Sequence, residues 1–398
     1  MRAKIFILSG LFLLTEQTLA FNLPNPLAIK AYECPKCRSS SQETMTISWP
    51  LSSLNLDHDT LHQQSSRKYQ IKVSLKQLQQ GVSIHTLAPK ALIRISPVNP
   101  QSTLKPTFQI KSTNSLKLSL MDASSLFAKE EGLKETAFTE NTLAIAKLKP
   151  ELGSGEFILS SPDKTLTKAE AEDSYFIQVF DANSTTELSI RTDKARYQWG
   201  DNLKAIFSLH DKNTNHLIET IDVFLTNPEG EKIPLKPEPN EDGSYEVSYP
   251  LVSEKNDNGE NWYITSSVSG MVGKRKVERQ SHSAFSYTIP SAALRSLKKN
   301  PEKAFGFTAE IEVATASRYA LQAVLFGTDA QGKLHPIQTA QTASWLTEGL
   351  NNFNFSFDSN LKSDYKEPYY LGYLRLTDYG QHKPVYIYDE PIALSNLG

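Results

Sequence analysis

Along most of this chain apolar and polar residues alternate one for one, in runs too short for helices. Tyr69, Ile71, Val73 and Leu75 interleave with Lys68, Gln70, Lys72 and Ser74. A period of two sends one set to a buried face and the other to water, so the spacing predicts a strand. Similar short apolar runs predict strands at 82–87, 92–95, 116–120, 157–159 and 175–180. Residues 124–135 read differently. Ser124 or Ser125 as a cap, charged residues behind it and Gly132 near the end predict a helix. Residues 21–66 carry less pattern: Pro24, Pro26 and Pro35 break any helix, residues 39–42 read as loop, and residues 44–49 alternate as one candidate strand.

After the turn-rich Asn183-Ser184-Thr185 a second set begins, with strands predicted at 188–194, 205–210, 221–225, 245–249, 262–269 and 285–289. Asp242-Gly243 lies between two of its strands as a hairpin signal. About seven short strands in about 100 residues is the spacing of an immunoglobulin-like sandwich, without the Cys…Trp…Cys pattern of antibody domains. Lys298-Lys299-Asn300-Pro301 reads as a linker. A third set follows, in which Phe307, Ala309, Ile311 and Val313 alternate and Phe353, Phe355 and Phe357 share one face. The expectation is an all-β chain of three consecutive β-sandwich domains: an N-terminal one at 21–187, an immunoglobulin-like one at 188–295, and a jelly-roll or immunoglobulin-like C-terminal one at 302–398.

Composition agrees: 18 Phe, 16 Tyr and 4 Trp favour strands. The first twenty residues do not belong to this pattern. Arg2 and Lys4 precede an apolar run from Ile5 to Leu14, and Thr18-Leu19-Ala20 places small residues at the −3 and −1 positions of a cleavage site. That is the layout of a secretory signal peptide cleaved after Ala20, which predicts a secreted or periplasmic protein. No later stretch approaches the roughly 18 apolar residues of a membrane span, so none is expected in the mature chain. The formal charge of the full chain is −2. A near-neutral balance argues against nucleic acid as a partner, since such surfaces are strongly basic.

Candidate chemistry is sparse. Neither His-Glu-x-x-His nor Gly-x-Ser-x-Gly occurs, and the histidines are scattered, so no catalytic residue is assigned. The sharpest local feature is Cys34-Pro35-Lys36-Cys37. In an exported protein the pair reads as a small disulfide loop. A thioredoxin-like redox role needs such a pair at a helix start in an α/β fold, and neither is visible. The third reading is structural zinc, the only cofactor in view. His58 and His62 follow with i, i+4 spacing, and two thiolates with two imidazoles suit tetrahedral coordination. Residues 211–215 carry oxygen side chains at alternate positions, as a calcium loop begins, but lack the later Gly and Glu. The basic cluster Lys274, Arg275, Lys276 and Arg279 reads as a solvated strand or loop. The aromatic strand at 365–373 reads as core, or as a platform for sugar rings.

The segment Leu188-Ser189-Ile190-Arg191-Thr192-Asp193-Lys194-Ala195-Arg196-Tyr197-Gln198-Trp199-Gly200-Asp201 resembles the opening of macroglobulin-type and bacterial immunoglobulin-like modules. The chain after its first twenty residues is similar to the exported bacterial domain-of-unknown-function 4785 family. The similarity is carried by residues 81–84 and 91–97, by the 192–201 opening, and in the last domain by Ser317-Arg318-Tyr319, Leu325-Phe326-Gly327, Ala343-Ser344-Trp345-Leu346 and Leu374-Arg375-Leu376-Thr377-Asp378. The resemblance implies three domains and export, and brings no catalytic residues. The resulting expectation is an exported protein that binds a protein or glycan partner without catalysis. Two alternatives stand beside it. One is a secreted hydrolase with its site at a domain junction. The other is an inhibitor or structural protein of macroglobulin type, which the missing Cys-x-Glu-Gln thioester motif weakens.

Overall fold

The structure, a computed structural model, describes residues 21–24, 28–51, 62–100, 102, 105–112, 117–129, 141–163, 167, 171–212, 214–254, 256, 261–359 and 365–398. The signal-peptide segment at 1–20 and His58 lie outside the described residues. Among those described, no helix is long and apolar enough to cross a membrane.

The chain forms three all-β domains, each a pair of sheets closed over its own core. In the N-terminal domain one sheet runs in the order Lys68–Ser74, Ser174–Phe180, Leu92–Pro97, Ala144–Leu148, Ser124–Lys129. The other runs Val82–Thr86, Gly155–Ser160, Gln109–Ser112, Leu118–Ser119. Alternate residues point inward as period two requires: Tyr69 and Val73 meet Ile84, Ile93, Ile95, Phe157 and Tyr175 in a common core. The middle domain buries Tyr197, Phe207, Trp262, Phe285 and Tyr287 between its sheets. There Tyr197 stands edge-on to Phe285 at 5.1 Å. The C-terminal domain closes over Phe307, Phe353, Phe355, Phe357 and Tyr319, so the three phenylalanines that share a face are core.

Several sequence expectations change. Residues 124–135 were expected to be helical, yet Ser124–Lys129 is a strand paired with Ala144–Leu148, and residues 130–135 lie outside those described. The ladder satisfies this backbone at the sheet edge, and Ser124 Oγ donates to Leu120 O rather than capping a helix. Leu75 does not end a strand; it begins a short helix, Leu75–Gln80, set by a capping box between Ser74 and Gln77. Lys298, Lys299 and Asn300 are not a linker but the end of strand Ala292–Asn300, paired with Gly306–Val313.

Residues 21–66 are expected in the N-terminal domain, and their described strands pair with the other two domains, as an arm along them. Phe21–Asn22 pairs with Ala292–Asn300. Met45–Pro50 adds to the edge of the C-terminal sheet, with Met45 opposite Ala343 and Pro50 opposite Gln338. Gln63–Ser66 pairs with Glu187–Thr192 of the middle domain. The N-terminal domain proper starts at strand Lys68–Ser74. Local alternation identifies a strand but not its partner, which for Met45–Pro50 lies about 290 residues further on, from Met45 opposite Ala343 to Pro50 opposite Gln338.

Candidate functional site

Three regions carry chemistry. The first lies where the arm crosses from the middle to the C-terminal domain. The arm is fixed there by Lys30, which ion-pairs with Glu254 at 2.8 Å and sits 4.4 Å over the Trp199 ring, and by Arg318, which donates to the carbonyls of Ser41 and Glu43. At its centre Asp378, fully buried, ends the strand Lys366–Asp378. Its Oδ2 accepts from Tyr32 Oη at 2.8 Å and Ser291 Oγ at 2.6 Å; its Oδ1 accepts from Ser317 Oγ at 2.7 Å and the Gly380 amide at 2.8 Å. Burial, and then the Asp378 charge, push the Tyr32 hydroxyl far above the usual tyrosine range, so it remains a neutral donor. Gln381 extends the network: its Nε2 donates to Ile289 O, and its Oε1 accepts from Asn256 Nδ2 and the Ile289 amide.

The cysteines lie against this centre. The structure brings Cys34 and Cys37 together with their sulfurs bonded and their Cα atoms 5.3 Å apart. Cys37 Sγ is 3.3 Å from Ser317 Oγ and 3.7 Å from Tyr32 Oη. Gly380 passes so close that an added Cβ would lie 2.2 Å from Tyr32 Oη and 2.4 Å from Cys37 Sγ. His62, proposed with them as a zinc ligand, is held elsewhere: its Nε2 donates to Ala284 O of the middle domain at 2.5 Å. Among the described residues no group of three or more His, Cys, Asp or Glu is arranged to hold a metal. Asp211, read as the possible start of a calcium loop, instead contacts His216 at 2.9 Å.

The second region joins the N-terminal and middle domains. Arg279 and Asp181, both fully buried, pair at 2.9 Å. Arg279 also donates to Thr186 O and Ser184 Oγ, and Asp181 accepts from the amides of Leu87 and Ala88. The reading of Arg279 as solvated is therefore corrected. It sits on strand Arg275–Thr288 beside exposed cations: Lys276 lies on the opposite face, while Arg275 shares the face of Arg279 but stands at the exposed start of the strand. Next to the pair is a cleft of about 330 Å³ lined by Ser65, Ser66, Arg67, Asp181, Ser281 and His282. It holds the residue types of a hydrolytic triad, but its aspartate is committed to Arg279 and two backbone amides.

The third region is surface. On Met45–Pro50, Met45, Ile47 and Trp49 are 52%, 52% and 40% exposed. Among the described residues this strand is one edge of its sheet, with Lys383–Tyr388 at the other. A separate polar cleft of about 650 Å³ crosses the middle domain, lined by Gln63, Ser189, Arg191, His210, Asn240 and Glu246 among others. Of the 365–373 aromatics, Tyr365 and Tyr369 pack against the core. The signal that could have located the buried centres is weak: Tyr32, Asp181, Arg279, Asp378 and Gln381 look in sequence like surface residues, and only long-range contact makes them a network.

Family models for domain-of-unknown-function 4785 match residues 36–181 (N-terminal domain), 184–288 (central domain) and 291–395 (C-terminal domain). A crystal structure of a family member from Legionella pneumophila is 42% identical, covering 95% of this chain and 100% of that one at a TM-score of 0.79. Tandem repeats from the extending region of a large adhesion protein cover 79% of this chain and 69% of theirs, at 10% identity and a TM-score of 0.20. Salmonella alpha-2-macroglobulin covers 86% of this chain and 24% of its own, at 12% identity and 0.21. Both scores are too low for a shared fold to follow. No curated protein sequence matches the chain. With all three domains matched and a solved relative aligned over nearly its whole length, the chain belongs to the domain-of-unknown-function 4785 family.

Proposed function

We propose that this is an exported protein that acts by binding another protein, and that the partner docks on the edge strand Met45–Pro50. The observation that carries this is the exposure of Met45, Ile47 and Trp49 together on an edge strand. Sheet edges are ordinarily protected by charge, bulges or short length. This one has no charged residue from Met45 to Pro50. An extended segment of a partner would add as the next strand, gaining backbone hydrogen bonds, while its alternate side chains cover the three apolar ones. The leader at residues 1–20 supports export.

The test compares the chain from Phe21 onward with Ile47→Lys and Trp49→Glu variants in capture from envelope and host-surface fractions. The reading expects one or more proteins retained by the parent and lost from both variants. Equal capture by all three overturns it. A glycan reading is favoured by the polar cleft, whose Gln63, Arg191, Asn240 and Glu246 side chains suit sugar hydroxyls. A glycan array on which binding is abolished by Arg191→Ala would select that reading instead.

A further inference from the structure

We propose that Cys34 and Cys37 form a thiol–disulfide exchange site that accepts two electrons from a thiol or dithiol partner, rather than a passive staple. Three observations converge. First, access to the two sulfurs differs. Cys37 is 2% exposed while Cys34 is partly open to solvent, so the open side for an attacking thiolate is that of Cys34. Which sulfur is attacked, and which leaves, governs exchange. Second, the sulfur that would leave lies against two hydroxyls. Cys37 Sγ is next to the hydroxyls of Ser317 and Tyr32, and both donate to the buried Asp378. Third, the bond does little that a staple is needed for. It spans only three residues, and stabilisation by loop closure grows with loop length. The arm is already held at this point by Lys30, by Arg318, and by the Tyr32 amide donating to Thr315 Oγ1.

The step balances as follows. A partner thiolate attacks Cys34 Sγ, forming a mixed disulfide and breaking the Cys34–Cys37 bond. The electron pair leaves on Cys37, which takes up from solvent the proton that the attacking thiol gave up; the Ser317 hydroxyl beside it can turn from Asp378 to donate to the new sulfur anion. A second thiolate on the partner then attacks the partner's own sulfur in the mixed disulfide and releases Cys34, which takes up from solvent the proton that the second thiol gave up. The partner ends as a disulfide and the pair as a dithiol, one equivalent per chain. Asp378 and Ser317 are positioning residues in this scheme; the reacting atoms are the two sulfurs.

The experiment uses the chain from Phe21 onward, oxidised, with dithiothreitol as reductant and glutathione disulfide as trapping reagent. The proposal expects the native protein to be reduced by dithiothreitol without urea and with its circular dichroism unchanged. It expects Ser317→Ala to slow that reduction on the order of tenfold through loss of the hydroxyl that donates to the leaving sulfur, most clearly in the pH profile. It also expects Cys37→Ser, which leaves the open Cys34, to form a glutathione adduct at least about tenfold faster than Cys34→Ser, because exchange follows access to the sulfur. Reduction only after unfolding overturns the proposal and identifies a staple, and this readout needs no variant to fold. Equal adduct rates for the two folded single-cysteine variants overturn it as well.

Discussion

Arg279 and Asp181 show what a single residue can decide here. Each has been taken wholly out of water, a cost that the pair offsets only because backbone and hydroxyl partners complete the guanidinium and carboxylate shells. Burial pulls the arginine below its ordinary range, and Asp181 opposes that pull. Arg279→Met therefore strands a buried carboxylate and is expected to cost about 3–5 kcal/mol, whereas a double variant that also carries Asp181→Leu should recover much of the loss. Urea midpoints of the parent, both single variants and the double variant measure the coupling; strictly additive losses would show that the charges do not depend on each other. His85, two residues before Leu87 whose amide reaches Asp181, erodes stability toward acid. Burial lowers its pKa, against Glu278 at 3.6 Å and Glu156 at 3.9 Å, with Lys276 adding to the depression. Below about pH 6.5 the unfolded chain binds a proton that the folded one refuses. Stability should thus be intact above that pH, fall as the pH drops through it, and level off below the folded value. Thermal melts between about pH 8 and 5 should show this slope reduced in His85→Gln.

At the level of elements, the helix Leu75–Gln80 has only about two turns and depends on its start. Ser74 Oγ accepts from the Gln77 amide at 3.2 Å, and Gln77 Oε1 accepts from the Ser74 amide at 2.8 Å. Ser74→Ala should cost about 0.5–2 kcal/mol, read as a lower melting temperature of the parent fold; no change would mean that Leu75 and Leu78, both buried, hold the turn alone. The same box explains why this helix was not legible in the alternation. Leu75 continues the period-two pattern of Tyr69, Ile71 and Val73, and the change to helical spacing occurs within one residue. Elsewhere period two reads well, since at Tyr175, Ile177 and Val179 the alternation is the burial pattern itself. It fails at 124–129, where a serine and nearby charges imitate a helix start while the backbone is satisfied by a ladder to Ala144–Leu148. The buried polar centres were not legible at all. Arg279 and Arg275 lie four residues apart on one strand, yet only Arg279 faces Asp181, and that partner is 98 residues away.

For the whole molecule the arm matters most, because the order of the chain and the order of its packing disagree. Residues 21–51 precede the N-terminal domain yet complete the C-terminal one at both sheets, by Phe21–Asn22 on one and Met45–Pro50 on the other. Leu23 joins that core and Tyr386 donates to Pro24 O. Both outer strands of the C-terminal domain thus come from the start of the chain, across more than 240 residues of intervening chain, a contact of high loop-closure cost. Residues 291–398 alone should lack the strand that covers Leu334–Leu346, leaving that edge open for pairing between copies. Joining residues 21–51 to the same domain by a flexible linker should supply both strands and give a monomer with a sharper, higher-temperature melt. Light scattering and calorimetry on the two proteins decide the matter. Equal monomer content and equal melting would mean the C-terminal sandwich is self-sufficient and the arm merely rests on it. A difference removed by the linked arm would make strand addition in cis the step on which assembly of the whole molecule depends, and would put Met45, Ile47 and Trp49 on the outer surface only once that step is complete.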